Sequence, residues 1–274
     1  MYADFFESVS ETAAQAVKEN ETDYRGANGL LMCGSCRTAK EVRVEFMGIQ
    51  KTVRCICKCE QEKDMQHKAR MKAQEIERLR STGIQDKQIL SYTFGNDDGK
   101  NAGVSDLAKR YVENFADMKR ENIGLLFYGE VGTGKSFFAG CIGHALIDRG
   151  VPVLATSITR LLNQLFSVED KNEFLRELNR YDLLIIDDIG AERGTEYALE
   201  QVYTIIDERY KSCKPVIVTT NKTPQELETE QDMQRKRIYD RFFQMCTPIK
   251  VEGQRRKEAG QAKARRLQAI LYGE

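Results

Sequence analysis

No stretch of this chain approaches the run of about 18 apolar residues that a bilayer-spanning helix requires, and residues 1–20 lack the apolar segment of a signal peptide. The expectation is a cytoplasmic protein with no membrane partner. Net charge is absent too: 42 Lys and Arg balance 42 Asp and Glu. Composition therefore argues neither for nor against nucleic acid, and any basic surface has to come from local clustering. Cysteine, by contrast, is plentiful, and five of the eight lie between residues 33 and 59. In a reducing compartment that clustering favours a metal site over disulfides. At 274 residues the chain has room for two domains, and its two ends differ in kind.

One stretch organises the rest. Gly129-Glu130-Val131-Gly132-Thr133-Gly134-Lys135-Ser136 fits G-x-x-x-x-G-K-[ST] at every fixed position. Glycines let such a loop wrap phosphate oxygens with its backbone N–H groups, and the helix that follows, entered through Phe137, aims its positive end at the same point. Lys135 is expected to reach the β- and γ-phosphates of ATP, and the Ser136 hydroxyl to bind Mg²⁺. The flanks agree: Leu125 to Tyr128 reads as a buried strand, and Phe137 to Ile147 as an apolar helix closed by Gly150. A glycine-rich turn matching by chance would lack that strand, loop and helix in order.

Downstream, strands alternate with helices, which predicts a mostly parallel sheet. Pro152 to Thr156 is the next strand, Ile158 to Phe166 a helix, and residues 196–210 another. Leu183-Leu184-Ile185-Ile186 is an apolar strand ending in Asp187 and Asp188, 52 residues after Lys135. Asp187 is placed to hold Mg²⁺ through water and Asp188 to polarise the water that attacks the γ-phosphate. Val216 to Thr220 is a further buried strand, ending at Asn221. An amide there can orient the attacking water, although a strand-end Asn also caps turns. Arg237 and Arg241 lie four apart on one helical face, a spacing that usually makes a solvated or ion-paired surface. Behind these parts, in this order, Arg241 reads as an arginine finger. Upstream, Leu107, Ala108, Tyr111, Val112, Phe115 and Met118 mark a helix.

The front of the chain is built differently. Tyr2, Phe5, Phe6, Val9, Ala13, Ala16 and Val17 fall at helical spacing, a stripe that either packs on the small domain behind it or meets a partner. Cys33-Gly34-Ser35-Cys36 is followed by alternating Val42, Val44 and Phe46, a turn near Gly48, and Cys55-Ile56-Cys57-Lys58-Cys59. Zn²⁺ takes four soft ligands in a tetrahedron; a C-x-x-C turn supplies two and a hairpin returns two more. Cys33, Cys36, Cys57 and Cys59 are the expected ligands, with Cys55 as alternate and His67 as an outside candidate. Glu60 to Arg80 mixes both signs of charge and reads as a solvated helical linker, nucleic-acid contact being the minority reading. After Gly253 the tail carries Arg255, Arg256, Lys257, Lys263, Arg265 and Arg266, a nucleic-acid footprint or a solubilising helix end. Cys141, Cys213 and Cys246 read as small hydrophobes.

The motifs Gly129 to Ser136, Leu183 to Gly190, Val216 to Asn221 and Arg237 to Phe243 together resemble the AAA+ ATPase domain of the DnaC/DnaI-type replicative helicase loaders, over roughly residues 88–257. The cysteine-rich front resembles the zinc-binding domain of DnaI-like and phage-encoded loaders, which docks on the helicase. The resemblance implies an α/β, AAA+ P-loop fold after a small zinc hairpin, with residues 1–66 as helix and zinc domain, 67–87 as charged linker and 88–274 as ATPase domain with basic tail. It implies an ATPase that delivers a DnaB-type helicase to single-stranded DNA, self-associating in an ATP-dependent spiral or ring. Asn221 then matches sensor 1, Arg241 a finger reaching a neighbour's ATP, and Arg256 sensor 2, with Arg255 and Lys257 crowding that choice. Family loaders often carry Glu where this chain has Asp188, which implies slow, partner-stimulated hydrolysis. IstB-type transposition ATPases share a similar domain, but the zinc hairpin argues against them. A P-loop small-molecule kinase would leave Asn221, Arg241 and the cysteines unexplained.

Overall fold

A computed structural model describes residues 20–46, 48–84, 89–190, 195–253 and 266–272. The stripe over residues 2–18 and the tail positions Arg255, Arg256, Lys257, Lys263 and Arg265 lie outside them. The chain divides into two compact units, Met1–Gln74 and Glu75–Glu274. The division falls within one long charged helix, α1 (Lys58–Gly83).

Among its described residues the first unit has almost no apolar core. Short strands β1 (Tyr24–Arg25) and β2 (Leu31–Met32) pair antiparallel, and β3 (Glu41–Phe46) and β4 (Ile49–Arg54) form a hairpin in which Val42 faces Val53 and Phe46 faces Ile49. Leu31, Cys33 and Cys57 are the buried apolar residues among those described here. Polar contacts take the place of a core: the Lys40 ammonium, buried, lies 2.7 Å from the Asp23 carboxylate, which also accepts the backbone N–H groups of Asn20 and Gly34. Those donors hold the Asp23 carboxyl down at about 2. Glu41 accepts from Leu31 N–H and from Arg25.

The second unit is a five-stranded parallel sheet. Ahead of it run α2 (Ala102–Glu113) and α3 (Phe115–Arg120). The expected single helix through Met118 is thus two, because at Asn114 the backbone leaves the helical region and the side chain turns back to bond the Arg110 carbonyl. Then come β5 (Gly124–Tyr128), α4 (Lys135–Asp148), β6 (Val153–Ser157), α5 (Ile158–Ser167), α6 (Lys171–Leu178), β7 (Leu183–Ile189), α7 (Glu196–Lys211), β8 (Val216–Thr220), α8 (Pro224–Glu228), α9 (Met233–Met245) and β9 (Cys246–Lys250). Strand order is β6-β7-β8-β5-β9, with every pair parallel. The apolar runs seen in sequence follow from burial on both faces. Leu125, Phe127, Val153, Leu183, Ile185 and Ile217 pack under α2 and α4, while Leu126, Leu154, Leu184, Ile186, Val216 and Val218 pack under α5, α7 and α9. Each such side chain contributes about 1.5–3 kcal/mol.

The topology puts β8 between the strand that feeds the phosphate loop and the strand that ends in the two aspartates. All three carboxyl ends therefore meet at one edge, the usual crevice of a parallel sheet. At the opposite edge Arg209, 1% exposed, donates to the carbonyls of Tyr181, Asp182 and Pro215, tying α7 to the starts of β7 and β8. Burial brings its pKa down to about 10, and the three carbonyls replace part of the water it has lost, Nε being left without a partner.

Candidate functional site

The loop after β5 is shaped by its glycines. Gly129 has φ +145°, and a Cβ there would lie 2.4 Å from the Val251 carbonyl oxygen. Gly134, at φ +108°, stands at the N-cap of α4 and frees the first turn of that helix to face the loop. Thr133 staples the loop through the Glu130 carbonyl. Lys135 is buried, and its ammonium donates to the carbonyls of Gly129 and Glu130 at 2.9 and 2.8 Å. Burial lowers its pKa, and the nearby Asp188 and Asp187 carboxylates oppose that shift.

A cavity of about 260 Å³ opens at this edge, lined by Val131, Gly132, Gly134, Lys135, Ser136, Phe137, Asp187, Asp188 and Asn221 from the sequence reading. It is also lined by two residues the reading missed, Tyr92 and Thr219. Tyr92 packs edge-on against Phe137, ring centroids 5.6 Å apart. The signal for Thr219 is a hydroxyl in the otherwise apolar run Val216-Ile217-Val218. It donates to Asp187 Oδ1 and accepts from the Asp188 N–H. Asn221 Nδ2 donates to Asp188 Oδ1 at 3.2 Å. Asp188 has φ +58°, a left-handed conformation that few non-glycine residues adopt, Asp being one of the more tolerant.

Arg241 is not in this cavity. Its guanidinium lies on the Tyr210 ring at 4.4 Å and pairs with Asp207 at 2.9 Å, joining α9 to α7, while Arg237 stacks on Tyr203. His144 bonds the Ile89 carbonyl through Nε2 at 2.9 Å.

In the first unit Cys33, Cys36, Cys57 and Cys59 bring their sulfurs within 4.8 Å of one another. Cys33 and Cys59 are 3.6 Å apart, Cys57 and Cys59 3.4 Å. Sulfurs about 2.3 Å from a tetrahedral Zn²⁺ stand roughly 3.8 Å apart, so the four thiols fit such an ion. The Thr38 hydroxyl lowers the Cys36 thiol to about 5, while Cys57, Cys36 and Cys33 push Cys59 up to about 12. The shifts oppose one another, so all four could be thiolates at once only with a cation between them. Cys55 lies apart from the four and donates to the Ala39 carbonyl, and His67 is exposed on α1.

A profile of the family described as IstB-like ATP binding protein matches residues 38–264. The chain is similar to the replicative helicase loader DnaC of Escherichia coli (strain K12), 31% identical over 126 residues, covering 44% of this chain and 50% of that protein. It is also similar to the replicative helicase loader DnaI of Bacillus subtilis (strain 168), 25% identical over 167 residues, 56% of this chain and 52% of that one. It thus spans about half the length of these curated relatives. A crystal structure of DnaI matches with a TM-score of 0.51 and 25% identity, over 65% of this chain and 99% of that one.

Proposed function

The chain belongs to the IstB-like ATP binding protein family and has the AAA+ P-loop fold, and on that premise we propose that it hydrolyses ATP to place a DnaB-type replicative helicase on single-stranded DNA. The observation that carries this reading is the convergence of Lys135, Ser136, Asp187, Asp188 and Asn221 on one cavity. The phosphates of ATP draw the Lys135 ammonium from the Gly129 and Glu130 carbonyls, and the N–H groups of the loop and the start of α4 surround them. Ser136 and Asp187 would hold Mg²⁺, which when bound neutralises charge on the β- and γ-oxygens. Asp188 takes a proton from the attacking water, and Asn221 fixes the carboxylate that does so.

Two surfaces support the choice of partners. Phe166 and Tyr197 stack with centroids 5.7 Å apart and planes 15° apart, about half exposed, with the Lys171 ammonium over the Tyr197 ring. Unpaired bases stack on such rings while a lysine meets their phosphates. On the hairpin, Val42, Val44, Phe46 and Ile49 share one exposed face, the kind of apolar patch a protein partner covers. Zn²⁺ held by the four cysteines folds that unit, Arg241 serves a neighbouring subunit's ATP in a spiral or ring, and the work is done in the cytoplasm, where thiols stay reduced. Among the described residues no helix is long and apolar enough to cross a membrane.

Immobilised replicative helicase of the host tests the reading. Retention of this protein that rises with ATP, and transfer of the helicase to circular single-stranded DNA that requires both, is the expected outcome. Retention on a transposase instead, with no helicase transfer, would replace the loader by a transposition ATPase.

A further inference from the structure

Between β7 and β8 the register slips at the functional edge. Ile186 pairs with Val218 and Ile189 with Thr220, so Asp187 and Asp188 together oppose the single residue Thr219. A bulge of this kind leaves a backbone group without its ladder partner. Here the side chain of Thr219, a residue 1% exposed, supplies it: the hydroxyl accepts the Asp188 N–H at 2.8 Å and donates its own proton to Asp187 Oδ1 at 2.5 Å. One oxygen thereby fixes the backbone of the left-handed Asp188 and one carboxylate oxygen of Asp187. Thr219 also stands beside Phe127 on β5, two residues ahead of the phosphate loop, so both aspartates are referenced to the strand that carries the loop.

We propose that Thr219 is the positioning residue of the hydrolytic site, its hydroxyl setting the aim of Asp187 and the backbone conformation of Asp188 together. The proposal rests on the ATPase reading. Thr219→Val keeps the shape and removes the hydroxyl. Freed of its acceptor, Asp188 relaxes from φ +58° and its carboxylate leaves Asn221, while Asp187 gains a rotamer. Turnover should fall about a hundredfold, as a misplacement near 1 Å does, with the KM for ATP changed less than about threefold. The Mg²⁺ concentration for half-activation should rise about tenfold, as for lost outer-sphere support.

One readout needs no turnover: the Asp188 amide, followed by hydrogen exchange in the full-length protein, should exchange about tenfold faster in Thr219→Val, the worth of one net hydrogen bond. Thr219→Ser restores the hydroxyl and should return both turnover and exchange to within about threefold of wild type. Thr220→Val is the control for general loosening of β8, since the buried Thr220 hydroxyl donates to the Ile189 carbonyl and touches neither carboxylate. It should leave turnover intact. Should Thr219→Val not fold, Thr219→Ala carries the same expectations. Wild-type turnover and exchange in Thr219→Val, an equal loss in Thr219→Ser, or an equal loss in Thr220→Val would each overturn the proposal. Undiminished turnover in Lys135→Ala would instead overturn the ATPase reading, with the exchange measurement still deciding the role of the hydroxyl.

Discussion

Lys135 is a buried ammonium whose neighbours set its charge: burial lowers its pKa, and Asp188 and Asp187 pull it back. Its two hydrogen bonds to loop carbonyls hold it at the mouth of the loop, ready to be exchanged for phosphate oxygens of greater charge. Lys135→Ala removes the neutralising charge in ground state and transition state alike, so both ATP binding and turnover should be lost. Asp188→Asn is different in kind. The amide fills the same space and cannot take a proton, so ATP should bind within a few-fold of wild type while turnover drops by about 10²–10³. Equilibrium binding of a fluorescent ATP analogue beside steady-state phosphate release separates the two. Equal loss of binding in both variants would mean that Asp188 shapes the pocket rather than acting on water. The side chain is one methylene shorter than glutamate, which fits a site that turns over slowly and serves as a switch.

The hairpin unit shows what an element does when it cannot bury enough apolar surface. Leu31, Cys33 and Cys57 are a small return for the described residues of this unit, and the buried Lys40 and Asp23 pair offsets its own desolvation more than it adds stability. Zn²⁺ bound by four thiolates would then supply much of the folding free energy. The full-length protein should contain one zinc, and a chelator, or acid that protonates the thiolates, should unfold residues 20–74 while nucleotide binding persists. Metal analysis with far-ultraviolet circular dichroism checks this, and Cys33→Ser or Cys36→Ser proteins that keep a full complement of zinc would refute the ligand set. The cysteine knuckles, the phosphate loop and the strand to Asp187 were legible from sequence because each constraint is local: spacing, glycine freedom, or an unbroken apolar run. What was not legible depends on pairing across the sheet. Strand β9 is polar and carries Pro248, tolerable because it lies at the edge of the sheet beside β5. The bulge at Asp188 and the role of Thr219 exist only once β7 and β8 are in register. Cys213, expected to be a small hydrophobe, is exposed at φ +51° in the turn after α7, where backbone geometry outweighed its apolar character.

At the scale of the whole molecule Arg241 is held by a neighbour, Asp207, that lies 34 residues earlier and meets it through the packing of α9 on α7. In a single chain its guanidinium pairs with Asp207 and lies on Tyr210, both partly open to solvent, so the pair contributes little beyond about 1 kcal/mol. A contact that weak can be exchanged for the γ-phosphate of an adjoining subunit when copies assemble, since a guanidinium gains far more from a phosphate that it can clamp at two points. Arg241→Ala should therefore bind ATP normally as an isolated chain and fail to hydrolyse it in the assembled state. Lys135→Ala should be inactive for the opposite reason, having a sound Arg241 and no sound loop. Because Lys135→Ala does not bind ATP, single-stranded DNA or helicase has to bring the two inactive proteins together; the junctions so formed join a working Lys135 site to a working Arg241, and phosphate release should reappear. With random mixing at equal amounts about one junction in four has both, so recovery should approach a quarter of wild-type turnover and vary with the mixing ratio. If the mixture stays as inactive as its components while light scattering shows that each variant still assembles, Arg241 belongs to its own chain, and its work is to hold α9 against α7 through Asp207 and Tyr210.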